Sequence, residues 1–151
     1  MARIPFKSRK DPLFGVVILG TALTMLFVLA AELDRIGQPG NEVQILGLII
    51  LGLAMGLMLW LWFDTGYSID NVFIYFRSGP FRGKLRISSI REVVVGTTMW
   101  SGFKPALARK GMIVKYNRYD EIYLSPDSNE AFVAALLDAN PEIQITGKKM
   151  P

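Results

Sequence analysis

Two stretches of the chain show no alternation of apolar and polar positions. Residues 12–31 read PLFGVVILGTALTMLFVLAA and residues 43–63 read VQILGLIILGLAMGLMLWLWF, and neither carries a charge. At a rise of about 1.5 Å per residue each makes a helix of roughly 30 Å, the thickness of a bilayer's hydrocarbon core. A surface helix would show one apolar stripe and one polar face, and neither stretch does. A pair of core helices is the alternative, but the 88 residues that follow are too few to cover two such helices. Between them, residues 32–42 (ELDRIGQPGNE) hold Gly37, Pro39, Gly40 and Asn41, which end one helix and permit the next. The pattern predicts a transmembrane hairpin with spans over 12–31 and 43–63.

Orientation follows from the cations at the ends. Arg3, Lys7, Arg9 and Lys10 precede the first span, whereas the connecting loop has Arg35 beside Glu32, Asp34 and Glu42. The excess of Lys and Arg belongs on the cytoplasmic side. Both termini are therefore expected in the cytoplasm, with the chain integral to an inner or plasma membrane. A cleaved signal peptide ending near Val28-Leu29-Ala30 is the rival reading, but signal peptides carry apolar regions of about 7–15 residues. Even then, the second span would return the remainder to the cytoplasm. Gly52 and Gly56 form a G-x-x-x-G, and Gly20 and Thr24 a second small pair. Both suit close packing of helices, within the hairpin or between copies. Trp60, Trp62, Phe63 and Tyr67 read as an aromatic belt at the inner interface.

From residue 64 the uniform apolar run gives way to shorter segments with strand character, and Leu85 and Ile87 alternate with Lys84, Arg86 and Ser88. Strands are expected over residues 67–70, 72–77, 83–88, 91–97, 112–116 and 121–124, with turn formers such as Ser78-Gly79-Pro80 between them. Residues 98–111 show no clear period. Ser125 and Pro126 then read as the cap and first position of a helix, with Asp127 and Glu130 near its start. Phe132, Val133, Leu136 and Leu137 supply one apolar face, and Asn140-Pro141 ends it. A tail fraying after Ile145 is expected. The fold class is thus α+β or mostly β: an N-terminal two-helix transmembrane hairpin, then a pleckstrin-homology (PH)-like antiparallel β-barrel or sandwich capped by a C-terminal helix. An α+β sheet fold is the alternative. The division is a basic cytoplasmic N-terminus (1–11), the hairpin (12–63), the PH-like domain (64–145) and a flexible tail (146–151).

Several stretches carry a resemblance. They are YSIDNVFIY at 67–75, LRISSIRE at 85–92, PALA at 105–108, IVKY at 113–116, IYLSPDSNEAF at 122–132 and NPEI at 140–143. With these, residues 65–145 resemble the YyaB-like bacterial PH domain family. The resemblance implies a PH-like fold and membrane association, and it supplies no catalytic residues. The chain departs from the family at Ala108-Arg109-Lys110-Gly111, where a serine and an acidic residue usually precede a basic one.

Composition narrows the chemistry. The chain has 151 residues, 51% of them apolar and 20% charged, with a formal net charge of +4. Its mean hydropathy is +0.32. It has no cysteine and no histidine. Disulfides, thiolate metal sites, a cysteine nucleophile and an imidazole base are therefore excluded. No catalysis, cofactor or metal is expected, and no small-molecule substrate or nucleic acid is identified as a partner. Ser101 and Lys104 match the S-x-x-K string of acyl-enzymes, but Gly102 and Pro105 argue for a loop rather than the helix that motif needs.

The candidate sites are binding surfaces. Arg77, Arg82, Lys84, Arg86 and Arg91 fall within fifteen positions and form a candidate face for anionic lipid or a partner. A solvated strand face is the plain structural reading. Met99, Trp100, Phe103, Lys104 and Leu107 form a candidate interfacial loop, or else fold back over the barrel. The expected function is a membrane-anchored PH-like interaction module, with lipids, another membrane protein or a second copy as partners. The alternatives are a non-catalytic anchoring subunit of a membrane complex and recognition of anionic lipid headgroups.

Overall fold

The computed structural model describes residues 3–32 and 42–147; residues 1–2, 33–41 and 148–151, where the helix connection and the flexible tail were expected, lie outside the described residues. The first long helix, α1, spans Pro12–Glu32 and the second, α2, spans Glu42–Phe63. Asp11 caps α1. Its Oδ1 accepts from the Leu13 amide at 3.0 Å and its carbonyl from the Gly15 amide, and Pro12 stands at the first helical position, where no amide hydrogen is needed. The two helices bury almost nothing between them: Phe27 is 75% and Leu53 70% exposed. They touch at Gly15, where an added Cβ would stand 3.4 Å from the Trp62 ring.

The remainder forms two four-stranded sheets. β1 (Ile4–Lys7), β2 (Thr65–Ile69), β3 (Phe73–Ser78) and β4 (Phe81–Arg86) lie in that order, all antiparallel. The second sheet has the order β7-β6-β5-β8, from β5 (Ile90–Thr97), β6 (Gly111–Tyr116), β7 (Asp120–Leu124) and β8 (Gln144–Gly147). β8 runs parallel to β5 and is reached through helix α3 (Asn129–Ala139). The sheets do not close on each other, so the architecture is the sandwich rather than the barrel. Between them lies one core of alternating inward residues. Ile74, Val93, Met112, Val114, Leu124, Phe132 and Leu136 are fully buried there. Phe132 brings α3 onto the first sheet, with its ring 5.0 Å from Phe6 and 6.2 Å from Tyr67, both edge to face.

Several boundaries differ from the sequence expectation; the strand expected over residues 83–88 is Phe81–Arg86, and Ile87–Ser89 form a 3-10 turn instead. The helix start is Ser128, whose Oγ accepts from the Ala131 amide; Ser125 and Pro126 are drawn instead into pairing with residues 7–9. The Arg9 amide donates to the Ser125 carbonyl at 2.7 Å, and the Asp127 amide to the Lys7 carbonyl at 2.9 Å. Residues 4–7, expected as part of a basic tail, are an edge strand. Pro5 is tolerated there because an edge has a row of amides with no partner to lose. The chain is also ordered beyond Ile145, as strand β8. Because β1 pairs with β2, the whole hairpin is an insertion between two adjacent strands. The segment before α1 and the sandwich after α2 therefore sit at the same end of the helices.

Candidate functional site

The outward face of the first sheet gathers most of the candidate basic residues. In the β3–β4 register Arg77 lies opposite Arg82, Tyr75 opposite Lys84 and Phe73 opposite Arg86. Directly opposed residues project to the same face, and the intervening Ile74 and Leu85 point inward and are buried. The cations stand over rings. Lys84 Nζ is 4.9 Å and Arg86 Cζ 5.8 Å from the Phe73 centroid, and Arg3 Cζ is 3.9 Å from that of Tyr75. Each such contact at an exposed site is worth about 0.5–1 kcal/mol. Asp64 accepts Arg77 at 2.9 Å and Arg82 at 4.0 Å, while Asp70 takes Arg3 at 3.9 Å. The amides of Val72 and Phe73 hold the Asp70 carboxyl below the usual carboxylate range. Arg91 is not part of this face: it lies on β5, in the other sheet, and donates to the Arg118 carbonyl at 2.8 Å.

The loop over residues 98–110 crosses one end of the sandwich and is stapled to it by two buried tyrosines. The Tyr67 hydroxyl donates to the Pro105 carbonyl at 2.6 Å, and that of Tyr123 to the Ala108 carbonyl at 2.9 Å. Burial pushes the Tyr67 hydroxyl up, so it stays a donor. The Leu107 amide donates to Ser125 Oγ, and its carbonyl accepts from Asp11. Phe103 stacks edge to face on Phe76 at 5.6 Å. Trp100 is the exception, 88% exposed. The loop thus both folds back and presents Trp100 outward, with Phe103 about half exposed and Lys104 exposed.

A second basic cluster joins parts of the chain a hundred residues apart. Arg9 Nη2 donates to the carbonyls of Arg109 and Lys110 at 2.7 and 2.8 Å. Arg109 Nε donates to Asp11 Oδ2 at 2.8 Å, and this guanidinium holds the Asp11 carboxyl below its ordinary value. Together with Lys10, Pro12, Thr98 and Ala108 they line a cleft of about 450 Å³. Lys10 Nζ also stands 5.1 Å from the Trp62 ring and 5.0 Å from that of Phe63, at the end of α2. Among the described residues no three acidic side chains converge as a metal would require.

The comparisons with known proteins agree with this architecture. The family model described as Bacterial PH domain matches residues 65–140, from the first residue of β2 to the end of α3. The chain belongs to the bacterial PH domain family. It is also 27% identical over 101 residues to the Bacillus subtilis protein titled "Uncharacterized protein YyaB", covering 66% of this chain and 69% of that one. No solved structure matches the chain.

Of the candidate residues, then, the PH domain brings Arg77, Arg82, Lys84 and Arg86 together and sets Arg91 apart. Met99, Phe103, Lys104 and Leu107 lie in the loop with Trp100, but only Trp100 is nearly free of the domain. Gly52 and Gly56 do not bring α2 onto α1, since a Cβ at either would meet nothing within 4 Å; Gly15 and Trp62 make that contact instead. The β3–β4 turn also reaches α2. Gly79 adopts φ +54° there, and an added Cβ would stand 3.1 Å from Leu61. The sequence reading missed the Arg9–Lys10 and Arg109–Lys110 cluster. Two adjacent basic pairs are its only signal, and nothing local joins them.

Proposed function

We propose that the chain is a membrane-anchored PH-like module that acts by binding, held on the cytoplasmic side of a bacterial inner membrane by residues 12–63. The pairing of β1 with β2 carries this reading. A hairpin inserted between adjacent strands has both ends on one side, so two spans suit it. The excess of Arg3, Lys7, Arg9 and Lys10 over the connecting loop favours the cytoplasm for that side. The same pairing favours an uncleaved first helix, because cleavage would strip an edge strand, and the Phe6 ring with it, from the sandwich. The surface offered to a partner is the outward face of the first sheet, where Arg77, Arg82, Lys84 and Arg86 surround Phe73 and Tyr75. Its occupant is an acidic surface of another membrane protein or of a second copy, with anionic lipid assisting.

Reporter fusions at both ends test the placement. Activity on the cytoplasmic side from both fusions is the expected result, and activity only on the outer side from either one rejects it. For the surface, co-purification from detergent with Arg82→Glu/Lys84→Glu tests the charge. Partners recovered with the wild type should be lost from the variant; undiminished recovery removes this face from the proposal.

A further inference from the structure

We propose that the cleft where α1 leaves the PH domain binds the phosphate of an anionic membrane lipid. This rests on the membrane placement above and adds a site distinct from the sheet face. Its lining combines Arg9, Lys10, Arg109 and Lys110 with one carboxylate, Asp11. Four cations against one acid leave a strong excess of positive charge in a concavity of about 450 Å³, within the size range of small-ligand sites.

The geometry is built rather than accidental. Arg9 donates to the carbonyls of both Arg109 and Lys110, and Arg109 to Asp11, so each segment holds the other in place. Those bonds use Arg9 Nη2 and Arg109 Nε; a guanidinium has five N–H donors, so each retains others for a ligand. Among the described residues no carboxylate pairs with Lys10 or Lys110. Lys110 sits at φ +54°, the left-handed region that glycine adopts without cost. Thr98 Oγ1 accepts its amide at 3.0 Å and Asn129 Nδ2 donates to its carbonyl at 3.1 Å. The fold thus holds a lysine, in a strained conformation, at the rim of the cleft. Thr98 keeps its hydroxyl proton to donate to a further oxygen.

The depth of the cleft identifies the source of the phosphate. Asp11 and Pro12 are the last polar residue and the first helical residue before the uncharged span. Lys10 reaches the rings of Trp62 and Phe63 at the matching end of α2. Aromatic rings at the end of a span sit at headgroup level, and basic pockets at that depth take lipid phosphates. The sheet face differs in that its cations are laid out on a flat surface, against rings and carboxylates.

The test uses the full chain in neutral detergent and measures retained lipid by native mass spectrometry. Phosphatidylglycerol should bind in preference to phosphatidylcholine. Lys110→Gly removes one cation and suits φ +54°, so the fold is kept; it should weaken phosphatidylglycerol binding about fivefold. Adding Lys10→Gln should bring the loss to about 25-fold. Arg118→Gln, one charge lost at the β6–β7 turn, should change nothing. Millimolar inorganic phosphate should not displace the lipid. Equal retention of the two lipids, an equal loss in Arg118→Gln, or inorganic phosphate binding as tightly as phosphatidylglycerol each overturns the proposal. In those cases the chain still needs detergent, whereas failure of the membrane placement shows as a chain soluble without it.

Discussion

The hairpin and the sandwich use the same apolar residue types in opposite ways. In α2 Leu53 is 70% exposed, while in α3 Leu136 is fully buried. In the sandwich, apolar residues alternate with polar ones, and the two sheets and α3 remove the apolar set from water. In the hairpin there is no alternation, and the helices barely cover each other. A helix satisfies its own backbone hydrogen bonds, so in lipid it needs no partner to hide a polar edge, whereas an open strand does. The sandwich is stabilised by its own packing, whereas the apolar side chains of the two long helices find little cover among the described residues.

Truncation separates the two regions most sharply. Phe132→Ala should destabilise the sandwich by about 3–5 kcal/mol, because its ring lies at the meeting of α3, β1 and β2. Leu53→Ala on α2 should stay within about 0.5 kcal/mol. Denaturant unfolding of the full chain in detergent reads both, and equal effects would break the comparison. A smaller effect locates the boundary between the regions. If residues 4–7 are part of the sandwich, Phe6→Ala should cost about 2 kcal/mol, most of the value of burying such a ring; a loose basic tail predicts none. Ser128→Ala should cost about 1 kcal/mol through loss of the cap on α3, seen as a lower unfolding midpoint in the same assay.

The smallest effect concerns pH. The Thr146 hydroxyl and the Lys115 ammonium hold the Glu92 carboxyl below its ordinary range. A carboxylate with a lowered folded value stabilises the fold fully above its unfolded pKa, about 4.3. That contribution is lost as pH falls from there through the folded value. Since Thr146 lies on β8, the protection of the amides of residues 144–147, measured against their intrinsic exchange rates at each pH, should fall in this acidic window. Glu92→Gln should show no such acid-dependent step.

The elements that could be read from the sequence were those whose signal is local. The uncharged runs marked both helices, and the β-branched and aromatic residues of Val72-Phe-Ile-Tyr-Phe-Arg77 and of Val93-Val94-Val95 marked β3 and β5. The periodic Phe132, Val133, Leu136 and Leu137 marked α3. Residues 4–7 carry little strand signal because Ile4-Pro-Phe-Lys7 is short, contains proline and finds its partners 59 to 65 residues later. β8 was missed because its register depends on β5, far upstream. Ser125 was mistaken for the cap because Ser128, three residues on, has the same chemistry; pairing with residues 7–9 decided between them. In the candidate site, Lys84 and Arg86 share a face by strand periodicity alone, while Arg91 needed the sheet assignment to be set apart.

By itself the amino-acid sequence determined that two helices are long and apolar enough to cross a membrane, that a β-rich domain with a C-terminal helix follows, and that cysteine and histidine chemistry is absent. These depend on residue identity and short-range periodicity. Only the tertiary structure decided that the hairpin is inserted between neighbouring strands, that the G-x-x-x-G glycines do not carry the contact between the helices, and that Arg9 and Lys10 meet Arg109 and Lys110. Those depend on pairings across tens to a hundred residues, which no local pattern encodes and which form only when the two sheets pack on one core.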